Sequence, residues 1–191
     1  MTPELEHSLL MRALSLVQEH GTVNRRSIHG PSHWHNVEAN AVHLAGLEGV
    51  QTLVPRMFAI FHDFLRENDN EDPGHGPRAA EFLRIRRDQF PEMAYLDFEA
   101  LAQACERHTV GDLAEDPMIG ICWDADRLDL IRVGITPDPK FMSTPSGKRI
   151  AYNMSEFGEY EELEEFQVRY KSLMDFQRPR LSFNYVDPTS R

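Results

Sequence analysis

His62 and Asp63 stand side by side at the end of an almost wholly apolar run that begins at Leu53. A neutral imidazole nitrogen and a carboxylate oxygen are donors that suit divalent transition metals. The simpler interpretation is a core helix that ends in an Asp, with a His satisfied by one hydrogen bond. The functional interpretation is a rigid helix that presents two metal ligands at its end.

Two further segments carry similar donors toward apolar faces. His33 lies four residues before Val37, so both face the same side of a helix. Asp126 lies in the apolar stretch CWDADRLDLIRVG, residues 122–134, where a lone carboxylate is costly to bury. Imidazole and carboxylate donors suit Mn²⁺, Fe²⁺, Zn²⁺, Co²⁺ or Ni²⁺, and four of them leave positions open for water and substrate. Such an open site predicts catalysis rather than a structural role.

Helices are predicted to position these residues. Hydrophobic spacing predicts helices over residues 3–20, 51–63, 79–90, 96–108, 117–133 and about 157–177, and one that starts at Pro31, with Ser32 as N-cap, and runs to Gly46 or Gly49. Residues 68–74 are a loop by composition, and residues 134–147 are a long irregular stretch that suits a lid or rim. No convincing alternating strand is present, so the prediction is an all-α bundle.

Composition limits both the architecture and the partners. With 191 residues, 41% of them hydrophobic, we expect one domain over residues 1–191, with its metal-site core at about 28–133 and a lid loop and helix at 134–191. A net charge of −11 argues against binding to duplex nucleic acid or to an anionic membrane. No apolar run reaches the length of a membrane span and no secretion signal is evident, which predicts a soluble, cytoplasmic protein.

The order H…HD…D on predicted helices resembles the HD-domain superfamily of metal-dependent phosphohydrolases. His33 matches the first histidine, His62 and Asp63 match the signature pair, and Asp126 matches the last aspartate, over residues 28–133. The resemblance implies an HD-type helical bundle whose ligands hold a divalent transition metal (Mn, Fe, Co, Ni or Zn, with Mg possible) or two such ions. It also implies hydrolysis of a small phosphate ester or anhydride, such as a nucleotide, by water that the metal activates.

Two of the ligand positions have competitors in the sequence. His35, and less favourably His29, compete with His33 for the first position. Asp124 competes with Asp126, but the two lie about 200° apart on a helix, so only one of them faces the metal. The Ala-Asp-Arg-Leu context favours Asp126.

Other polar residues are candidates for the reaction chamber. His75 and His108 lie at predicted helix ends and are expected to complete a second metal site or to bind the substrate phosphate. Arg66 and Glu67 follow the HD pair, where Arg66 can grip a phosphate and Glu67 can orient the attacking water, although a surface ion pair explains them about as well. Arg127 and Arg132 are similar candidates for substrate binding, and Lys148 is a weaker one.

Two other functional classes fit the same pattern. One is a di-iron enzyme of HD type that oxidises its substrate with O₂, and oxygen-dependent turnover distinguishes it. The other is a non-catalytic HD module that binds a nucleotide, which the intact set His33, His62, Asp63 and Asp126 disfavours. The sequence leaves open which phosphate compound is the substrate, and it leaves the oligomeric state open.

Overall fold

The computed structural model describes residues 1–24 and 26–156 of the chain. Within these residues the structure is all helical and contains no strand, which confirms the predicted fold class. The α-helices are α1 (Pro3–His20), α2 (Pro31–Glu48), α3 (Leu53–Phe61), α4 (His75–Ile85), α5 (Tyr95–Arg107), α6 (Pro117–Leu128) and α7 (Pro145–Glu156). The helix predicted near 157–177, with the rest of the predicted C-terminal part, lies outside the described residues.

Helix α3 lies at the centre of the bundle, as its apolar sequence predicts. It packs against α1, α2, α5 and α6, and Phe58 and Phe61 are fully buried. Its one charged residue, Arg56, donates hydrogen bonds of 2.7 Å to both Glu38 and Glu6. A helix held on all sides in this way gives the residues that follow it fixed positions.

Several predicted helix boundaries were wrong. Helix α2 has Gly30 rather than Ser32 as its N-cap, because Pro31 already occupies the first helical position, where its missing N–H costs nothing. Helix α3 spans Leu53–Phe61 rather than 51–63, and α4 begins at His75 and ends at Ile85 rather than spanning 79–90. Helix α6 ends at Leu128, and a 3₁₀ segment, Asp129–Val133, continues it to Gly134, whose φ of 78° ends the turn.

The stretch at 134–147 contains more regular structure than its prolines indicate. It includes a 3₁₀ segment, Pro139–Phe141, and α7 begins at Pro145, so Ser146 and Gly147 belong to a helix rather than to the irregular stretch that was predicted. Among the described helices, none combines the length and the apolar composition that crossing a membrane requires.

Candidate metal centre

The four residues of the H…HD…D pattern meet at the ends of three helices. His33 lies in the first turn of α2, His62 and Asp63 follow α3, and Asp126 lies near the end of α6. The Nε2 atom of His33 is 3.0 Å from Nε2 of His62 and 3.2 Å from Oδ1 of Asp126. Oδ2 of Asp63 is 3.5 Å from His62 Nε2. These four side chains therefore form one group of converging donors, which we call the first donor group.

His75 and His108 form a second donor group with the same aspartate. Oδ1 of Asp63 is 3.0 Å from His75 Nε2 and 3.5 Å from His108 Nε2, and the two imidazole nitrogens are 2.8 Å apart. The start of α4 can approach the end of α5 this closely because residue 76 is a glycine: a Cβ there would lie 2.5 Å from the carbonyl oxygen of Cys105. Asp63 thus lies between the two groups and presents one oxygen to each.

The histidines of both groups are oriented by acceptors behind them. A histidine whose Nδ1–H is held by an acceptor presents its Nε2 lone pair on the other side of the ring. The acceptors are Asp129 Oδ2 for His33, the carbonyls of Phe58 and Ala59 for His62, the carbonyl of Asp72 for His75 and the carbonyl of Cys105 for His108. All four rings therefore aim Nε2 into the cluster.

The donor set fits bound cations. Two Nε2 lone pairs that face each other at 3.0 Å or 2.8 Å repel unless a cation, either a proton or a metal ion, lies between them. Ligands that lie about 2.0–2.2 Å from one ion are separated by about 2.9–3.6 Å at right or tetrahedral angles. Most spacings in both groups are of this size. Three sets of donors lie close enough together to hold an ion: His33, His62 and Asp126; Asp63, His75 and His108; and His29, His33 and Asp63. Imidazole with carboxylate suits first-row transition metals.

Metal ligands must be ionised carboxylates or neutral imidazoles, and the pKa values of Asp63 and His62 are shifted toward these forms. Burial works against the ionised form of Asp63, but the imidazoles around it, His62 first and then His108, His29 and His75, hold its pKa well below the usual range. Burial lowers the pKa of His62 to about 3, so this ring stays neutral. Burial also lowers the pKa of His33, but hydrogen bonds to Asp126 and Asp129 outweigh it and raise the pKa to about 9.

The structure separates the two competing aspartates of α6. Asp126 contacts His33, whereas Asp124 points to the other side of the helix and is fully buried. Oδ1 of Asp124 accepts a hydrogen bond from the backbone N–H of Ser143 (2.7 Å), and Oδ2 accepts from the N–H and the hydroxyl of Thr144 (2.8 and 2.7 Å). Asp124 therefore fixes the chain that enters α7.

This difference predicts opposite effects for the two aspartates. Replacing Asp124 by Ala leaves the part-buried N–H of Ser143 and the buried N–H of Thr144 without acceptors, so the free energy of unfolding should fall by about 1–3 kcal/mol. The amount of metal bound per chain should not change. Urea unfolding together with elemental analysis checks both statements. Loss of metal from a folded Asp124→Ala variant would contradict the assignment of Asp126 as the ligand.

Of the three histidines considered for the first ligand position, two lie at the cluster in the structure. His33 belongs to the cluster, and among the described residues His35, half-buried two residues later on α2, belongs to no donor group. His29, the less favoured candidate, does reach the cluster: its Nδ1 lies 2.9 Å from Oδ2 of Asp63. The sequence signal for His29 was present in the segment IHGPSH, but the chain direction before α2 is not visible in helical periodicity.

Asp129 contacts the cluster and was not among the site residues predicted from the sequence. Its Oδ2 lies 2.7 Å from Nδ1 of His33, and its Oδ1 accepts a hydrogen bond of 2.7 Å from Asn36. The spacing from Asp126 to Asp129, nearly one helical turn in the segment DADRLD, is the signal that could have identified it. Asp129 holds the His33 ring and raises its strength as a donor.

Replacing Asp129 by Ala should weaken metal binding without removing a ligand. Loss of such a supporting carboxylate typically reduces metal affinity about 10- to 100-fold. A competition titration of Mn²⁺ against a fluorescent chelator measures the change directly. An affinity equal to that of the wild-type protein would mean that Asp129 does not support His33.

The two candidates directly after the HD pair have different environments. Arg66 is buried, with Nη1 3.7 Å from Oδ1 of Asp63 and 3.3 Å from the His75 ring nitrogens. Its Nη2 donates to the carbonyl of Asn70. The side chain of Glu67, by contrast, is 68% exposed and lies 4.0 Å from Arg78. The structure brings Arg66 to the cluster, whereas Glu67 lies at the surface beside Arg78.

The remaining predicted substrate contacts are dispersed. Arg127 donates to the backbone carbonyls of Phe141 and Asp112, so its hydrogen bonds are used within the fold. Lys148 is exposed on α7, and the backbone amides before this helix bind the Asp124 carboxylate. Arg132 lies near the first donor group, where Nε donates to the carbonyl of Ile28 and Nη1 to Asp129.

Comparison with known proteins gives a structural match. No family model matches the sequence, and no curated protein does. A crystal structure described as a predicted HD superfamily hydrolase, from an uncultured Thermotogales bacterium, is similar with a TM-score of 0.61 and 20% sequence identity. The match covers 85% of this chain and 91% of that chain. At this identity the match shows the fold: this chain has the same helical fold as that HD superfamily structure.

Proposed function

We propose that this chain is a metal-dependent phosphohydrolase of the HD superfamily that acts on a small phosphate ester or anhydride, such as a nucleotide. The observation that carries the proposal is the position of Asp63, with one oxygen toward each of two facing imidazole pairs. This is a donor set for two ions that share a carboxylate. The protein of the same fold is itself described as a predicted hydrolase, which supports the reaction class.

The roles of the residues follow from their contacts. A divalent cation, when bound, supplies a Lewis acid and makes water a nucleophile near neutral pH. His33, His62 and Asp126 would hold one ion, His75 and His108 the other, and Asp63 both. Apolar walls around these residues, including the Phe58 ring stacked on His62 with centroids 4.9 Å apart, keep the local dielectric low. Charges at the cluster therefore act more strongly on a phosphoryl group than they would in water.

The substrate is proposed to be small because of where positive charge lies. The chain carries a net charge of −11, which repels an extended polyanion, so a phosphate must be attracted locally. Arg132 is the candidate for this contact: two of its nitrogens are anchored on Ile28 and Asp129, and its side chain keeps 17% exposure beside the cluster. An anchored guanidinium loses little further entropy when it binds a phosphate oxygen.

A phosphate-release screen tests the proposed reaction. The full chain is supplied separately with Mn²⁺, Co²⁺, Ni²⁺, Zn²⁺ or Mg²⁺ and offered nucleoside monophosphates, dinucleotides, cyclic dinucleotides, alarmones and non-nucleotide phosphates. Cleavage of a phosphodiester gives a phosphomonoester and releases no inorganic phosphate. Reactions with diesters are therefore treated with a phosphatase before the phosphate is measured. Metal-dependent release supports the proposal.

Two other outcomes of the screen would replace the proposed reaction. Turnover of the iron-loaded protein that requires O₂ would favour the di-iron oxidation. Nucleotide binding without turnover under any metal would favour a non-catalytic module.

A further inference from the structure

The two donor groups differ in the charge that surrounds them. Asp63 is shared, but the first group also contains the Asp126 carboxylate, and the carboxylate of Asp129 lies behind it, 2.7 Å from Nδ1 of His33. The second group consists of Asp63 and two histidines whose Nδ1 atoms face uncharged backbone carbonyls. A dication therefore meets less negative charge in the second group than in the first.

A buried cation lies against the second donor group. Nη1 of Arg66 is 3.7 Å from Oδ1 of Asp63 and 3.3 Å from each ring nitrogen of His75. Equal distances to both nitrogens mean that Nη1 is not in line with the lone pair of either one, and the contact with Asp63 is longer than a hydrogen bond. Nη1 therefore keeps N–H groups that a further acceptor can use.

The position of this guanidinium is fixed by the loop that follows the HD pair. Nη2 of Arg66 donates to the carbonyl of Asn70 at 2.7 Å, and Nε donates to the carbonyl of Asn68 at 3.4 Å. The loop is also bonded to itself, since the backbone N–H of Asn70 donates to the Asn68 side chain at 2.8 Å. The positive charge of Arg66 therefore stays beside the second donor group.

An ion in the second donor group would meet this fixed like charge. Two divalent ions bring four positive charges and Arg66 adds a fifth, whereas Asp63 and Asp126 supply two negative charges. The nearby carboxylate of Asp129 is already paired with Arg132. In a buried site such an excess of positive charge is weakly screened, so it disfavours the second ion unless an anion enters with it. A phosphate group supplies that charge, and its oxygens can accept hydrogen bonds from Nη1 of Arg66.

We propose that Arg66 links the second metal ion to the substrate: at low metal concentration the second donor group fills only together with a phosphate group, which contacts both the ion and the guanidinium. This inference rests on the proposed hydrolytic function and deepens it, because it names the residue that makes metal loading depend on the anion. The first donor group keeps its ion without phosphate. By linkage, the second ion raises the affinity for phosphate by the factor by which phosphate raises the affinity for the ion.

A titration with Mn²⁺ tests the linkage without any turnover. The electron paramagnetic resonance signal of free Mn²⁺ gives the number of ions bound per chain and their affinities. Full-length wild type, Arg66→Gln, Arg66→Met and Arg66→Lys are titrated in chloride, inorganic phosphate or phenylphosphonate at equal ionic strength. Phenylphosphonate stands for a substrate because its phosphoryl group, like that of a monoester, carries an organic substituent. Arg84→Gln, at an exposed arginine of α4, is the matched control, and melting temperatures identify the variants that fold.

The expected result has opposite signs in the two kinds of buffer. In wild type and in Arg84→Gln, phosphate and phenylphosphonate should each tighten binding of the second Mn²⁺ by about tenfold or more and change the first by less than about threefold. In chloride, Arg66→Gln and Arg66→Met should bind the second Mn²⁺ about tenfold more tightly than wild type, because the like charge is gone. Their gain from either anion should fall below about threefold. Arg66→Lys, which keeps the charge, should resemble wild type in chloride.

Several results would overturn the proposal. One is a second-ion affinity in chloride that is not raised in any folded variant without the charge, and another is an equal gain from phosphate in those variants and in wild type. A gain with inorganic phosphate but none with phenylphosphonate would exclude the link to a substrate. Wild-type protein that binds one Mn²⁺ in all three buffers would also overturn it, although metal-dependent phosphate release by that protein would leave the proposed function intact. An intact linkage in a protein that hydrolyses no phosphate compound would support the role of Arg66 and contradict the proposed reaction alone.

Discussion

Replacing Asp63 by Asn should abolish turnover and metal binding together. Asp63 faces both donor groups, with Oδ2 3.5 Å from His62 Nε2 and Oδ1 3.0 Å from His75 Nε2. Asn has the same shape but lacks the negative charge and one acceptor oxygen, so both ions lose a shared ligand. Electrostatic stabilisation by metals contributes several kcal/mol, which corresponds to a rate loss of about a thousandfold or more. Phosphate release and elemental analysis on the same preparation measure the two effects.

A matched control keeps this result specific. Asp88→Asn makes the same chemical change at an exposed position of the 3₁₀ segment Arg87–Gln89 and should leave rate and metal content unaltered. Some loss of melting temperature is expected in Asp63→Asn, since metal binding and folding are coupled. A folded Asp63→Asn variant with full metal content and full activity would contradict the bridging role.

Replacing both His75 and His108 by Ala should remove one of the two ions. Their Nε2 atoms are 2.8 Å apart and face Oδ1 of Asp63, while the first donor group keeps His33, His62 and Asp126. The metal-to-chain ratio should therefore fall from about two to about one. Turnover should fall by about 100-fold or more, because one ion alone no longer neutralises the charge on both the attacking and the leaving oxygen.

The same double variant distinguishes the alternative role of these histidines. A wild-type ratio near one that the substitutions do not change, together with slower turnover, would show that His75 and His108 bind the substrate phosphate instead. A double variant equal to wild type in both metal content and rate would exclude both roles. His20→Ala, at the end of α1, is a suitable control for loss of a histidine outside the cluster.

The part of the site that could be predicted lies on or beside core helices. The apolar run of α3 predicted a central helix, and His62 and Asp63 directly follow the end of that helix. Helical phase placed Asp126 on the opposite side of α6 from Asp124, and the structure gives the two residues different partners. Periodicity works here because burial of one helix face determines which way the ligands point.

The part that could not be predicted depends on contacts between segments distant in sequence. His29 reaches Asp63 because Ser27 bonds Asp69 and Thr22 bonds Arg66, and none of these loop contacts follows from local spacing. The Glu67 side chain points outward because the chain turns after the HD pair rather than continuing the helix.

Boundary errors had a related cause. Ser32 has a side chain well suited to an N-cap, but the fixed φ of Pro31 starts the helix one residue earlier. Residues 134–147 were predicted to be irregular because of their Pro and Gly content. The buried Asp124 carboxylate binds the amides that precede α7 and so stabilises a helix start at this place. Local composition carries no information about a partner that lies about 20 residues away.

Anomalous diffraction from crystals of the full chain soaked in Mn²⁺ tests the central claim most directly, because it locates ions independently of any substrate. The account predicts two peaks, one between the Nε2 atoms of His33 and His62 and one between those of His75 and His108, with Asp63 in contact with both. A single peak at the first pair would limit the site to one ion. A well-ordered cluster with no peak at either pair, at millimolar Mn²⁺, would contradict the claim that these facing imidazoles are a metal centre.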